Sequence, residues 1–213
     1  MSGLSIQKKI NKAYKKAGNK LGFQYEVYRG LNNVNVLDAR NWISTISFSV
    51  SLNEQFSDTI KEQIPIWTVY SDYDQLQEGD FVTNNERTFL IITKKELLPI
   101  LALELPDRID IKQVSYSDTG NGFEPNNATY MARNVPAFIS YGSTNMSGNT
   151  LGLERASIAG VKTMTVYTHL PVNVNLMNET ALDYKEFSGT ITGYDYPFIG
   201  AGIKLQVHES GVV

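Results

Sequence analysis

The sequence predicts a mainly β protein: an N-terminal amphipathic helix, then a small β-barrel or sandwich, then a second β-rich module. Three observations carry this. Runs of Val, Ile, Thr, Phe and Tyr alternating with polar residues recur from residue 23 to residue 208, which is the period-two pattern of half-buried strands. Gly, Asn, Asp and Pro break those runs at close intervals, as short strands joined by turns require. A long apolar repeat at three- and four-residue spacing stands at the N-terminus.

That repeat predicts a helix from Ser5 to Leu21. Ile6, Ile10, Ala13, Tyr14, Ala17 and Leu21 share one face, and Lys8, Lys9, Lys12, Lys15, Lys16 and Lys20 fill the other. Gly18 or Gly22 ends it. Phe23 to Arg29 alternates and is the first strand. Leu31 to Arg40 is Asn-rich loop, and Trp42 to Leu52 is a β-branched second strand. Asn53 to Gln63 is polar, a short helix or an ordered loop. Its Glu54, Asp58 and Glu62 share helical spacing, but acid–base work would need them buried in a converging pocket.

Ile66 to Tyr70, Asp80 to Thr83, Thr88 to Thr93, Pro99 to Leu103 and Ile109 to Tyr116 follow as strands. Asn84-Asn85 predicts a tight turn through left-handed backbone, and Pro106-Asp107 another. Ser117 to Asn134, with Gly120, Gly122, Pro125 and three asparagines before Ala128, reads as a linker or long loop. Ser140 to Gly152 reads as a second loop. Strands return at Lys162 to His169, Pro171 to Leu176, Phe187 to Tyr194 and Ile203 to His208. The expected organisation is therefore residues 1–22 helix, 23–116 barrel or sandwich, 117–134 linker, and 135–213 second module. No internal repeat is visible.

Composition bounds the function. With 42% hydrophobic and 19% charged residues among 213, the chain can bury a core and is not expected to be disordered. It has no cysteine, which excludes disulfides and thiolate metal sites. No leader and no membrane-spanning stretch is expected. Charge is uneven. The six lysines of the helix precede the first acid, Glu26, so residues 1–25 carry +6 and, at a net −3, the remainder carries −9. Such a helix can dock on a protein partner or touch DNA; the same pattern fits a solvated face above an ordinary packing stripe.

Catalytic chemistry finds no foothold. His169 and His208 each sit in an alternating strand pattern, and no strained Gly-x-Ser-x-Gly elbow or Gly-Lys-Ser/Thr phosphate loop occurs. Gly200-Ala201-Gly202 precedes a strand, so it is no dinucleotide fingerprint. Asp72, Asp74, Glu78 and Asp80 imitate a calcium loop, but Leu76 and Gln77 occupy positions that need an oxygen ligand and a glycine. The expectation is no enzyme, no metal and no cofactor. Tyr194, Tyr196 and Phe198 form an aromatic turn that reads as a contact cluster or as a packed corner.

The first half of the chain resembles neck, head-to-tail connector or other tail-associated structural proteins of tailed bacteriophages. The resemblance lies in the basic helix, GFQYEVYRG (Gly22 to Gly30) and the run from Ile66 to Tyr116. Its recurring elements are Tyr28-Arg29, Asp72, Gly79 to Val82, Phe89 to Ile92, Leu98 to Ile100 and Arg108. Gly30 stands where a proline usually follows Tyr-Arg, and the chain after Arg133 lies outside the match. The resemblance implies a virion component assembled in the host cytoplasm, a homo-oligomeric ring (sixfold favoured) between head and tail that lines the DNA passage. Its implied partners are other neck or tail proteins, with non-specific contact to genomic DNA and no membrane. A small-ligand or carbohydrate-binding β module, using Trp42, Trp67 or the Tyr194 to Phe198 turn, is the alternative.

Overall fold

The computed structural model describes residues 3–30, 34–52, 64–118, 123–141, 163–170, 174, 176, 180–198 and 201–209. The polar stretch with Glu54, Asp58 and Glu62 lies outside them, as does nearly all of the expected loop from Ser140 to Gly152.

Helix α1 (Gly3–Leu21) leads into β1 (Phe23–Tyr28), β2 (Trp42–Leu52), β3 (Ile66–Ser71), β4 (Phe81–Thr83), β5 (Thr88–Thr93) and β6 (Ile100–Glu104). The chain continues through β7 (Asp107–Asp118), β8 (Phe123–Tyr141), β9 (Thr163–Thr168), β10 (Thr180–Tyr184), β11 (Phe187–Asp195) and β12 (Ile203–Glu209). β1 to β6 close into a barrel in the order β1-β2-β3-β6-β5-β4. β7 to β12 close into a second, β7-β8-β9-β12-β11-β10, which is the first order with six added to every number. Every pairing in both is antiparallel. The two modules are thus a repeat of topology that the sequence does not display.

The barrels share a wall. Along β5, Phe89 and Ile91 point into the first barrel, among Tyr25, Val27, Phe48 and Val82. Leu90 and Ile92 point the other way, into a core continuous with Ile109, Val166, Leu182 and Leu205 of the second barrel. β4 and β6 divide likewise, with Val82 and Ala102 inside and Phe81 and Leu103 across. A strand buried on both faces needs apolar residues at every position, which is why TFLIIT does not alternate.

α1 lies on β2 and β3. Tyr14 meets Tyr70 edge to face, centroids 5.4 Å apart. Gly18 makes the closest approach: a Cβ there would stand 2.9 Å from the Ser71 carbonyl carbon, and the Ser47 hydroxyl donates to the Gly18 carbonyl at 2.7 Å. Gly18 is therefore the contact point inside the helix and not its end. The Asn84-Asn85 turn forms, but for a different reason from the one expected. Neither asparagine is left-handed; the Asn84 side chain accepts from the N–H groups of Glu86 and Arg87 at 2.9 and 2.7 Å, an Asx turn.

Three expectations need correction. Residues 117–134 are not a linker: β7 runs to Asp118 and β8 starts at Phe123, forming a long hairpin. The modules divide instead near Leu105-Pro106, between β6 and β7. In the expected strand Pro171 to Leu176, Val174 and Leu176 are outside any strand, and β10 was not foreseen.

Leu90→Ala should cost about 2–5 kcal/mol, the range for opening a cavity in a packed core, read by denaturant unfolding. Gly18→Ala should destabilise by about 1–3 kcal/mol through overpacking against β3, although Ala is the better helix former.

Candidate functional site

Surfaces, rather than an enclosed pocket, carry the candidate site. The packing stripe of α1 is narrow, so Lys8, Lys9, Lys12, Lys15, Lys16 and Lys20 are all exposed. The structure therefore brings the predicted lysines together on one solvent-facing surface. No acid sits in the first turn, and Lys20 in the last turn complements the helix dipole.

The β7–β8 hairpin supplies a second surface. β10 pairs with β7 from Asp110 to Gln113, and β9 pairs with β8 from Ala137 to Tyr141. The hairpin itself continues through Val114↔Ala128 and Ser115↔Asn127 to Asp118↔Phe123. Among the described residues no third strand pairs with this outer part. Its five β7 residues beyond Gln113 reach about 17 Å past the barrel at ~3.4 Å each. Ala128, Thr129 and Tyr130 are all exposed. At the ribbon's base the Arg133 guanidinium stacks on the Tyr130 ring at 3.9 Å, and the Arg133 N–H donates to the Val34 carbonyl at 2.8 Å. Sequence reading missed this ribbon because its Gly, Asn and Pro content imitates a linker.

The aromatic turn divides. Tyr194 and Tyr196 are 55% and 67% exposed and meet edge to face at 6.1 Å. Phe198 turns inward beside Gly202 and the Tyr167 ring. Trp67 is no open platform: Arg87 lies over its ring at 4.7 Å and over Phe89 at the same distance, while pairing with Glu104 at 2.7 Å. Trp42 is exposed.

Three of the four carboxylates that imitated a calcium loop serve different donors. Asp72 accepts from the Ser47 N–H at 2.9 Å, and Glu78 from the Lys94 N–H at 2.7 Å. Asp80, fully buried, takes Arg29 through both oxygens at 2.7 and 2.8 Å and the Gln77 N–H at 2.7 Å. They do not converge, and among the described residues no three metal-capable side chains do. A cleft of about 270 Å³ lies between α1 and the first barrel, lined in part by Gln7, Tyr14, Tyr73 and Lys94. The Lys94 ammonium already donates to the Asp74 and Leu76 carbonyls at 2.6 and 2.7 Å, and burial pushes its pKa down.

His169 follows β9 and packs at the barrel junction. Its Nε2 would stand 2.9 Å from a Cβ on Gly79, which holds a left-handed φ of 91°, and its ring lies 6.2 Å from Phe81. Burial lowers its pKa, and the nearby Asp80 partly opposes that. Arg29, held by Asp80, closes the polar cluster.

No protein-family model matches the sequence, and no curated protein matches it. Among the described residues no helix is long and apolar enough to cross a membrane.

Two outcomes follow from the junction. Asp80→Asn should cost about 3–5 kcal/mol, because it leaves Arg29 part-buried without its anion; urea titration reads it. His169 is harder to protonate folded than unfolded, so the unfolded chain binds more protons below the ordinary value of 6.5. Stability should therefore fall as pH drops from about 6.5 through the lower folded pKa, and His169→Gln should flatten that part of the profile. Thermal unfolding at stepped pH measures it.

Proposed function

We propose that this protein is an assembly subunit, and specifically a ring-forming neck or connector component of a tailed bacteriophage particle. The observation that carries an assembly role is the β7–β8 ribbon, whose pairing runs on beyond Gln113 with no third strand beside it among the described residues. Two-stranded ribbons are marginal alone in water, so a ribbon of this length favours a protein that completes itself against a neighbour.

The narrower reading rests on the resemblance, and the geometry of its residues supports it. Arg29 of the Tyr28-Arg29 pair binds Asp80 of the Gly79 to Val82 element. Phe89 to Ile92 form most of β5, the wall between the barrels. Arg108 reaches back to the Thr88 hydroxyl at 2.8 Å, and Asp72 ties β3 to β2 through Ser47. The recurring residues thus bond to one another and frame the two-barrel body, as a pattern kept for fold and not for chemistry would. The lysine face suits a protein neighbour, with DNA in a central passage as its other occupant. Virion location belongs to this proposal.

A second reading, a carbohydrate-binding module, draws on the exposed Tyr194–Tyr196 pair. Their rings are 80° apart, which offers one stacking face at a time.

Purified protein should form closed rings, sixfold by preference, in negative-stain electron microscopy, with matching mass by light scattering. A chain that stays monomeric at all concentrations and is missing from purified particles overturns the reading. Glycan-array binding lost on Tyr196→Ala would favour the second.

A further inference from the structure

We propose that the β7–β8 ribbon of one copy lies along the lysine face of α1 on the next copy, head to tail. This rests on the assembly reading and specifies the surfaces that meet.

Length agrees first. Lys8, Lys12, Lys16 and Lys20 recur every four residues on α1, a row about 18 Å long at ~1.5 Å per residue. The ribbon's overhang is about 17 Å by strand rise.

Charge agrees next. Residues 114–130 hold two acids, Asp118 and Glu124, and no Lys or Arg, whereas α1 holds six lysines and no acid. Opposite charge favours ribbon on helix; like charge disfavours both helix on helix and ribbon on ribbon. The copy's own helix sits on β2 and β3 of the first barrel, while the ribbon springs from the second.

The interface joins unlike surfaces, so each copy keeps one ribbon and one helix open to further copies. Such heterologous contacts close into rings or run on as filaments. DNA on the lysines would leave the ribbon uncovered; a second copy covers both.

The absence of native cysteine gives a direct test on the full-length chain. Thr129 and Lys12 are both exposed, so Thr129→Cys and Lys12→Cys leave the core untouched. Mixed in equal amounts with a short bismaleimide, the two variants should yield a covalent pair containing one of each. Glu86→Cys, exposed on the β4–β5 turn, should give no such pair with Lys12→Cys. Lys12→Glu combined with Lys16→Glu should weaken association about tenfold, as two rim charges reversed would.

Rings without the Thr129–Lys12 crosslink would overturn this inference and leave the assembly reading standing. Predominant Thr129–Thr129 pairs would overturn it in favour of twofold ribbon pairing. Monomers throughout, without crosslinks, would remove both. If the lysine reversals abolish salt-dependent DNA binding but leave assembly unchanged, the helix serves nucleic acid and the inference fails.

Discussion

The structure depends on a sheet wall that is buried on both of its faces. β4, β5 and β6 close the first barrel with Val82, Phe89, Ile91 and Ala102, and close the second barrel's core with Phe81, Leu90, Ile92 and Leu103. Each of the larger side chains among them contributes roughly 1.5–3 kcal/mol by leaving water, and here alternate residues serve different cores. The two modules therefore do not behave as beads on a linker. A cavity at Leu90 is felt in the second barrel, while one at Phe89 is felt in the first.

Such a wall brings polar backbone and side chains into the seam, and each must find a partner. Asp80 meets Arg29 and the Gln77 N–H. Thr83 and Thr88 share a hydroxyl contact at 2.8 Å, and Arg108 adds a donor to Thr88. The Ala201 N–H reaches the Ile92 carbonyl at 3.2 Å, joining the chains of the two barrels directly. Arg108 has its pKa lowered by burial, with Asp107 partly offsetting it. It acts as a hydrogen-bond donor to the Leu105 and Asp107 carbonyls as well as to Thr88.

The parts legible in the sequence were those where one residue's neighbours decide its state. WISTISFSVSL alternates because β2 has one buried side, and TFLIIT does not because β5 has two. The helix was legible, but the role of Gly18 was not: only β3 lying across it makes a missing Cβ necessary. The ribbon was misread because strand pairing there overrides an Asn-, Gly- and Pro-rich composition; Pro125 and Pro136 both lie in β8, each beside or near a register shift. Barrel closure and the shared strand order were hidden, since pairing partners distant in sequence leave no local period. The aromatic turn divided because Phe198 finds Tyr167, a contact made by folding alone.

The common strand order makes the two hairpins that open each barrel comparable, and their difference locates the surface for assembly. Between β1 and β2 the chain folds back on the body. Val36 is buried in the shared core, Asn41 donates to the Asn35 and Val36 carbonyls, and the Val34 carbonyl receives the Arg133 N–H. Between β7 and β8, at the equivalent position, the strands run on outward beyond their neighbours. The same topology thus ends one hairpin in intramolecular bonds and leaves the other extended. α1 has a counterpart argument: it covers β2 and β3, whereas β8 and β9, the equivalent pair, have β9 buried from Met164 to Thr168 without a helix of this kind among the described residues. The common strand order gives two barrels against one wall, and the departures from it are one basic helix and one ribbon that no third strand flanks among the described residues.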